Sequence, residues 1–335
     1  MPRVAVVFTG GTISMAVDPI AGGNVPTLDG AAILARTPGL SAVADVVAID
    51  RGRTPASHFT IGDLVGLWSV IREAADDRAT DGVVVVQGTD TIEETAFCWD
   101  LLHDGPKPVV VTGAMRSSSE AGYDGPSNLT DAVRAAAAPD LRGEGVTVVL
   151  GGTIHAPDDV AKMHTSSLTA FGSPNLGPLG DIVGGRVAIQ RRRAGRRHVA
   201  TGVAAEPVFL ITAVTGIDGS LIDAAAGLGA RGIVVAATGS GNTSLGLLEA
   251  AERAIRGGIP VALASRVPAG RVGSGYAFPG GNANWLRSGA IPAGSLSGPK
   301  ARIALSLGVG AGLDRTGLAA LLADPGEPVG LVPTR

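Results

Sequence analysis

Short, uninterrupted runs of β-branched residues, separated by segments with helical periodicity, constrain this chain more than any other feature. Val83, Val84, Val85 and Val86 follow one another without a polar residue, and Val4, Ala5, Val6, Val7 and Phe8 form a second such run. A strand that is apolar on both faces has to be covered on both faces, the situation of a parallel sheet packed between helices. The rhythm continues with a strand over 45–49 and helices over 60–77 and 91–103. A strand over 108–112, a helix over 127–138 and a strand over 146–150 follow. This βα alternation predicts an α/β fold. Residues 181–189 read instead as a β-hairpin. From 208 the rhythm returns, with strands at 208–212, 233–237 and 261–264 and helices at 245–256 and 313–322. At 335 residues the chain suits two domains. The expectation is two α/β domains: a larger N-terminal one over 1–190, mostly parallel sheet with flanking helices, and a smaller C-terminal one over 208–335. The linker over 191–207 opens with Arg191, Arg192, Arg193, Arg196 and Arg197. Lying between folded segments, that basic run reads as a solvated linker rather than a nucleic-acid patch.

Composition narrows the function classes. A net charge of -3 argues against a general nucleic-acid or membrane-surface binder. The single cysteine, Cys98, excludes an intrachain disulfide framework and reads as core filler. Met1, Pro2 and Arg3 lead straight into a strand, leaving no room for the apolar segment of a signal peptide. No uncharged run approaches the roughly 20 apolar residues of a membrane span. A soluble, cytoplasmic protein is expected.

Two turns carry unusual hydroxyl density: Thr9, Gly10, Gly11, Thr12 and Ile13 after the first strand, and Gln87, Gly88, Thr89, Asp90 and Thr91 after the valine run. Both lie at the carboxyl ends of strands, the edge of an open α/β sheet where ligands bind. Neither has the spacing of a P-loop or a dinucleotide fingerprint. The five histidines show no metal-ligand spacing, and no Gly-x-Ser-x-Gly elbow is present. A threonine nucleophile remains, and its hydroxyl needs a neighbouring base or polarising group. Lys162, one of three lysines, is the candidate partner for Thr89 and Asp90. Taken singly, each threonine also reads as a hydroxyl satisfying backbone groups in a turn, and Lys162 as a surface charge.

Three further strings join these turns. They are Val109, Val110, Val111, Thr112, Gly113, Ala114, Met115 and Arg116; Asp124, Gly125, Pro126, Ser127, Asn128 and Leu129; and Ser265, Arg266, Val267, Pro268, Ala269 and Gly270. Together they resemble the L-asparaginase family of bacterial and archaeal amidohydrolases, over nearly the whole chain and in the expected order. The resemblance implies that Thr12 is the nucleophile on a mobile N-terminal loop, and that Thr89, Asp90 and Lys162 form a second catalytic set. Asp90 would also hold the substrate's α-ammonium, Ser57 would bind its α-carboxylate, and the Ala114 carbonyl would receive its side-chain amide. Asn242 would be lent to a neighbouring subunit's site, in a homodimer or homotetramer. No cofactor or metal is implied, and the substrate would be a small amino-acid amide.

The sequence departs from the family pattern at three places. Where the flexible loop usually carries a tyrosine, this chain has Asn24, which cannot act as a base. Tyr276 is the residue expected to supply a hydroxyl near the site in its place. His58 follows Ser57 where glutamine or asparagine is frequent; it is a candidate α-carboxylate ligand that would make activity sensitive to pH near neutrality. The acidic residue that often approaches the substrate ammonium is not evident in 270–281. Conversion of asparagine to aspartate and ammonia is the leading expectation. A glutaminase, an amidase acting on a larger amide such as a misacylated tRNA, and a non-catalytic amino-acid binder are the alternatives.

Overall fold

The computed structural model describes residues 1–326 of the chain; the last nine residues of the expected second domain lie outside them. The chain divides into two compact units, Met1–Arg196 and Arg197–Arg335. The first is built on an eight-stranded sheet. Its order runs Arg186–Ile189, Gly180–Val183, Thr153–His155, Val146–Leu150, Val109–Thr112, Gly82–Val86, Arg3–Phe8, Asp45–Asp50. The last five of these are mutually parallel, and the first three join antiparallel. All five residues of Gly82–Val86 are buried, as the valine run requires of a strand covered on both faces. Gly184 and Gly185, both at positive φ, make the two-residue turn of the 180–189 hairpin.

Helix Ile61–Asp76 starts at a capping box: Thr60 Oγ1 accepts from Asp63 N at 3.0 Å, and Asp63 Oδ2 accepts from Thr60 N at 2.9 Å. Helix Ile92–Leu102 buries nearly every side chain beneath the sheet, and its Trp99 Nε1 donates to the Leu64 carbonyl at 2.9 Å. The register places the site. Asp50 stands beside Phe8, Phe8 beside Val86, and Val86 beside Thr112. Four neighbouring strands therefore end in one row, and the loops that follow them emerge side by side at the sheet's carboxyl edge.

The second unit carries a four-stranded, all-parallel sheet in the order Val208–Thr212, Gly232–Ala237, Val261–Ser265, Ile291–Ser297. Helices Leu245–Arg256 and Gly298–Gly310 supply much of its covering, and Trp285 is fully buried in its core.

The basic run corrects the expectation of a solvated linker. Arg193 is buried, with Nη2 2.8 Å from Asp100 Oδ2 and 3.3 Å from Asp158 Oδ2. Arg196 Nε lies 3.2 Å from Asp100 Oδ1, which also accepts from Val146 N at 3.1 Å. Burial alone would depress the Arg193 guanidinium, but the two carboxylates override it and hold the group firmly cationic. Composition cannot distinguish a solvated basic run from one whose carboxylate partners lie far off in sequence.

Candidate active site

The two threonine turns meet through their glycines. Gly10 and Gly11 adopt φ of 113° and 94°, a region that L side chains rarely occupy. A Cβ on Gly11 would lie 2.2 Å from the backbone nitrogen of Gly88. A Cβ on Gly88 would meet that of Ala56 at 2.9 Å, and one on Gly113 would meet the Gln87 carbonyl at 2.5 Å. Four loops thus pack backbone against backbone. Two of the hydroxyls fasten them: Thr9 Oγ1 donates to the Val86 carbonyl at 3.1 Å, and Thr91 Oγ1 to the Ala56 carbonyl at 3.2 Å. Thr9 and Thr91 therefore serve the structural role that turn threonines ordinarily serve.

Thr89 is engaged differently. Lys162 Nζ donates to Thr89 Oγ1 at 3.0 Å and to Asp90 Oδ1 at 2.9 Å. An ammonium group can only donate, so Thr89 uses its oxygen as the acceptor and keeps its own O–H for another partner. Thr89 is buried, whereas the Asp90 side chain is 70% exposed and so open to a cationic ligand. Lys162 sits on a two-residue strand, Ala161–Lys162, paired with Phe171–Gly172. Its backbone N–H donates to Glu93 Oε2 at 2.9 Å, which ties this short hairpin to the helix that follows Asp90.

The Thr12 hydroxyl, half-buried on the short 3-10 turn Thr12–Ser14, makes no hydrogen bond among the described residues. Neither do the backbone N–H groups of Gly11, Thr12, Gly88 and Thr89 find an acceptor there. An unengaged hydroxyl beside a row of unengaged N–H donors suits attack on a carbonyl whose oxygen gains negative charge. Among the described residues, no group of three or more His, Cys, Asp or Glu side chains is placed to hold a metal ion.

Comparison with known proteins gives this arrangement a lineage. The family model for the asparaginase N-terminal domain matches residues 3–195, and the glutaminase/asparaginase C-terminal domain model matches 207–322. The chain belongs to the asparaginase family. It is 36% identical to a probable L-asparaginase of Deinococcus radiodurans, over 94% of this chain and 95% of that protein. It is 32% identical to a glutaminase-asparaginase of Pseudomonas fluorescens biotype A, over 81% of this chain and 77% of that protein. A solved structure described as a probable cytoplasmic L-asparaginase from Campylobacter jejuni superposes with a TM-score of 0.85 at 27% identity, covering 96% of this chain and 99% of that one. The resemblance read from the threonine turns is thereby shown, as is the two-domain α/β fold.

Within this asparaginase fold the remaining residues fall as follows. Ser57 and His58 are exposed on the turn Ala56–His58, whose Ala56 packs on Gly88. Ala114 is fully buried in the loop whose Gly113 lies against Thr89. Asn24 is exposed on the strand Gly23–Pro26, which pairs antiparallel with Met15–Asp18, so this segment is a hairpin ribbon. Asn242 and Tyr276 belong to the second unit. There, Asn242 Oδ1 accepts from Asn282 N at 3.1 Å, and the half-exposed Tyr276 ring lies 6.0 Å from that of Phe278. Two contributors escaped the sequence reading. Glu93 reads as an ordinary first-turn acid, and Tyr123 reads as a loop aromatic until its hydrogen bond is seen. No helix among the described residues is long and apolar enough to cross a membrane.

Proposed function

We propose that the protein hydrolyses L-asparagine to L-aspartate and ammonia through an acyl-enzyme on Thr12. The observation that carries this reading is the Lys162 ammonium bridging Thr89 Oγ1 and Asp90 Oδ1, on a loop pressed glycine to glycine against the Thr12 loop. The exposed Asp90 oxygen holds the substrate's α-ammonium, and Ser57 with His58 receives its α-carboxylate. These fixed charges orient the side-chain amide, toward the Ala114 carbonyl on one side and the attacking hydroxyl on the other. Thr12 Oγ attacks the amide carbon, and the free N–H groups stabilise the oxyanion. The carbon–nitrogen bond then breaks, and the proton given up by Thr12 leaves with the ammonia. Thr89, its oxygen held by Lys162 and its proton free, passes protons between the reacting groups. Water next attacks the ester, releasing aspartate and restoring the Thr12 hydroxyl.

Glutamine is the second reading, favoured by the glutaminase-asparaginase relative. One methylene in a pocket shifts specificity by only about 1–3 kcal/mol, so the same chemistry serves both amides. The reading extends to a cytoplasmic homodimer or homotetramer in which Asn242 is lent between subunits, checked by light scattering and by an Asn242→Ala variant. The deciding experiment measures ammonia release from asparagine, glutamine and larger amides. Rapid release from asparagine, reduced on the order of 10³-fold or more by Thr12→Ala, is expected. Tight binding without release from any amide overturns the reading in favour of a non-catalytic binder.

A further inference from the structure

The loop between strand Val109–Thr112 and helix Gly125–Ala137 grips the Thr12 segment at three successive points. Tyr123 Oη donates to the Ile13 carbonyl at 2.7 Å. Both the backbone N–H and the hydroxyl of Ser118 donate to the Met15 carbonyl, at 2.9 and 2.8 Å. Ser119 Oγ accepts from Val17 N at 3.0 Å. Every contact is to backbone, and together they span the residues that carry Thr12 into its hairpin, about a hundred positions away in sequence.

The loop is itself braced. Asp124 accepts from Met115 N and Arg116 N at 2.9–3.1 Å, and from Asn128 Nδ2 at 2.9 Å. Asn128 in turn donates to the Gly113 carbonyl at 3.0 Å and accepts from Gly151 N at 3.1 Å. Arg116 Nη1 donates across the loop to the Ala121 carbonyl at 2.9 Å, and Ser117 N to Glu120 Oε2 at 2.6 Å. The Tyr123 ring lies over Gly125, where a Cβ would stand 2.4 Å from the phenol carbon and oxygen, so that glycine is the residue that admits it.

We infer that Tyr123 is a positioning residue for Thr12, the end of a rigid strap over 116–124 that fixes the backbone of the nucleophile's turn through the Ile13 carbonyl. The phenol acts as a donor and not as a base: burial pushes it up to about 12, so it stays protonated at neutral pH. Its ring also packs against the core of the first unit, which fixes the hydroxyl's direction. The inference rests on the reading of Thr12 as the nucleophile.

The test compares Tyr123→Phe and Ser118→Ala with the unaltered chain, reading kcat and KM for asparagine and the amide hydrogen exchange of residues 12–18. Tyr123→Phe keeps the packed ring, and Ser118→Ala removes only a hydroxyl, so both should fold. Tyr123→Phe should lower kcat about 5–10-fold, the scale of one lost hydrogen bond, with KM changed less than about 2-fold. It should also raise exchange at 12–18, and Ser118→Ala should do the same to a smaller degree. Unchanged kcat in Tyr123→Phe, or a fall in kcat with unchanged exchange at 12–18, overturns the inference. If the unaltered chain releases no ammonia from any amide, the functional reading fails instead. The exchange comparison then decides the strap alone, with raised exchange in Tyr123→Phe upholding it and unchanged exchange overturning it.

Discussion

The Thr89 turn and the Thr12 turn lie side by side at one sheet edge, yet they are held by different means. Thr89 is fixed through its side chain, by an ammonium that also reaches Asp90. Thr12 is fixed through its backbone, by the Gly11–Gly88 contact on one side and by the strap from Tyr123 on the other, while its hydroxyl makes no hydrogen bond among the described residues. Under the proposed mechanism, the difference is what two distinct tasks require. A group that handles protons needs a polarising neighbour, whereas an attacking group needs exact placement with its oxygen unengaged. Rigidity at the site is therefore delivered by an ion pair at one turn and by close backbone packing at the other.

That contrast can be broken in order of falling effect on turnover. Lys162→Met removes the polarising group, so ammonia release from asparagine should fall about 10²–10⁴-fold. Stability should change by no more than about 1 kcal/mol, because the Asp90 partner is largely exposed. Steady-state rates and a denaturant midpoint measure the two together. Gly11→Ala attacks the backbone contact instead. Its Cβ would meet Gly88 N at 2.2 Å from a backbone at φ 94°. The turns must separate, which should cost about 10²-fold in rate and, unlike Lys162→Met, at least about 2 kcal/mol in stability. Equal effects of both variants on stability would erase the distinction.

Asp100→Ala sharpens the comparison from outside the site. It removes one of the two carboxylates paired with the buried Arg193 side chain, together with the partner of Arg196 and the acceptor of Val146 N, and should cost about 3–5 kcal/mol in denaturant unfolding while leaving kcat unchanged. The smallest effect concerns pH. The Glu120 carboxyl is held below its ordinary value of 4.5, chiefly by the hydrogen bond from Ser117 N. A depressed folded pKa supplies support that is fully present above 4.5 and is lost as the pH falls through the lower folded value. Exchange at 117–120 should therefore loosen on acidification below that range in the unaltered chain. In Glu120→Gln the acid-dependent part of that loosening should be absent.

Much of this was legible in the sequence where the signal is local. The valine run at 83–86 marked a buried parallel strand, and the helix read over 245–256 is found as Leu245–Arg256. Family membership was readable from the turns at 9–13 and 88–91 joined to the strings at 109–116, 124–129 and 265–270, each of which is a local pattern in the sequence. The helix Gly298–Gly310 was not read, because its apolar residues run round the whole cylinder and leave no periodic face. Arg193 misled for another reason: its partners Asp100 and Asp158 are near only in space. The role of Tyr123 is likewise hidden from the sequence, its acceptor being a backbone carbonyl 110 residues away, which no side-chain pattern records.

The central claim is that Thr12, and not Thr89, takes the acyl group. Rapid acid quench of the enzyme turning over asparagine, followed by peptide mapping by mass spectrometry, tests it directly. An aspartyl ester should appear on Thr12 in the unaltered chain, should accumulate further where Thr89→Val slows its hydrolysis, and should vanish in Thr12→Ala. An ester found on Thr89, or one that persists in Thr12→Ala, would contradict the account.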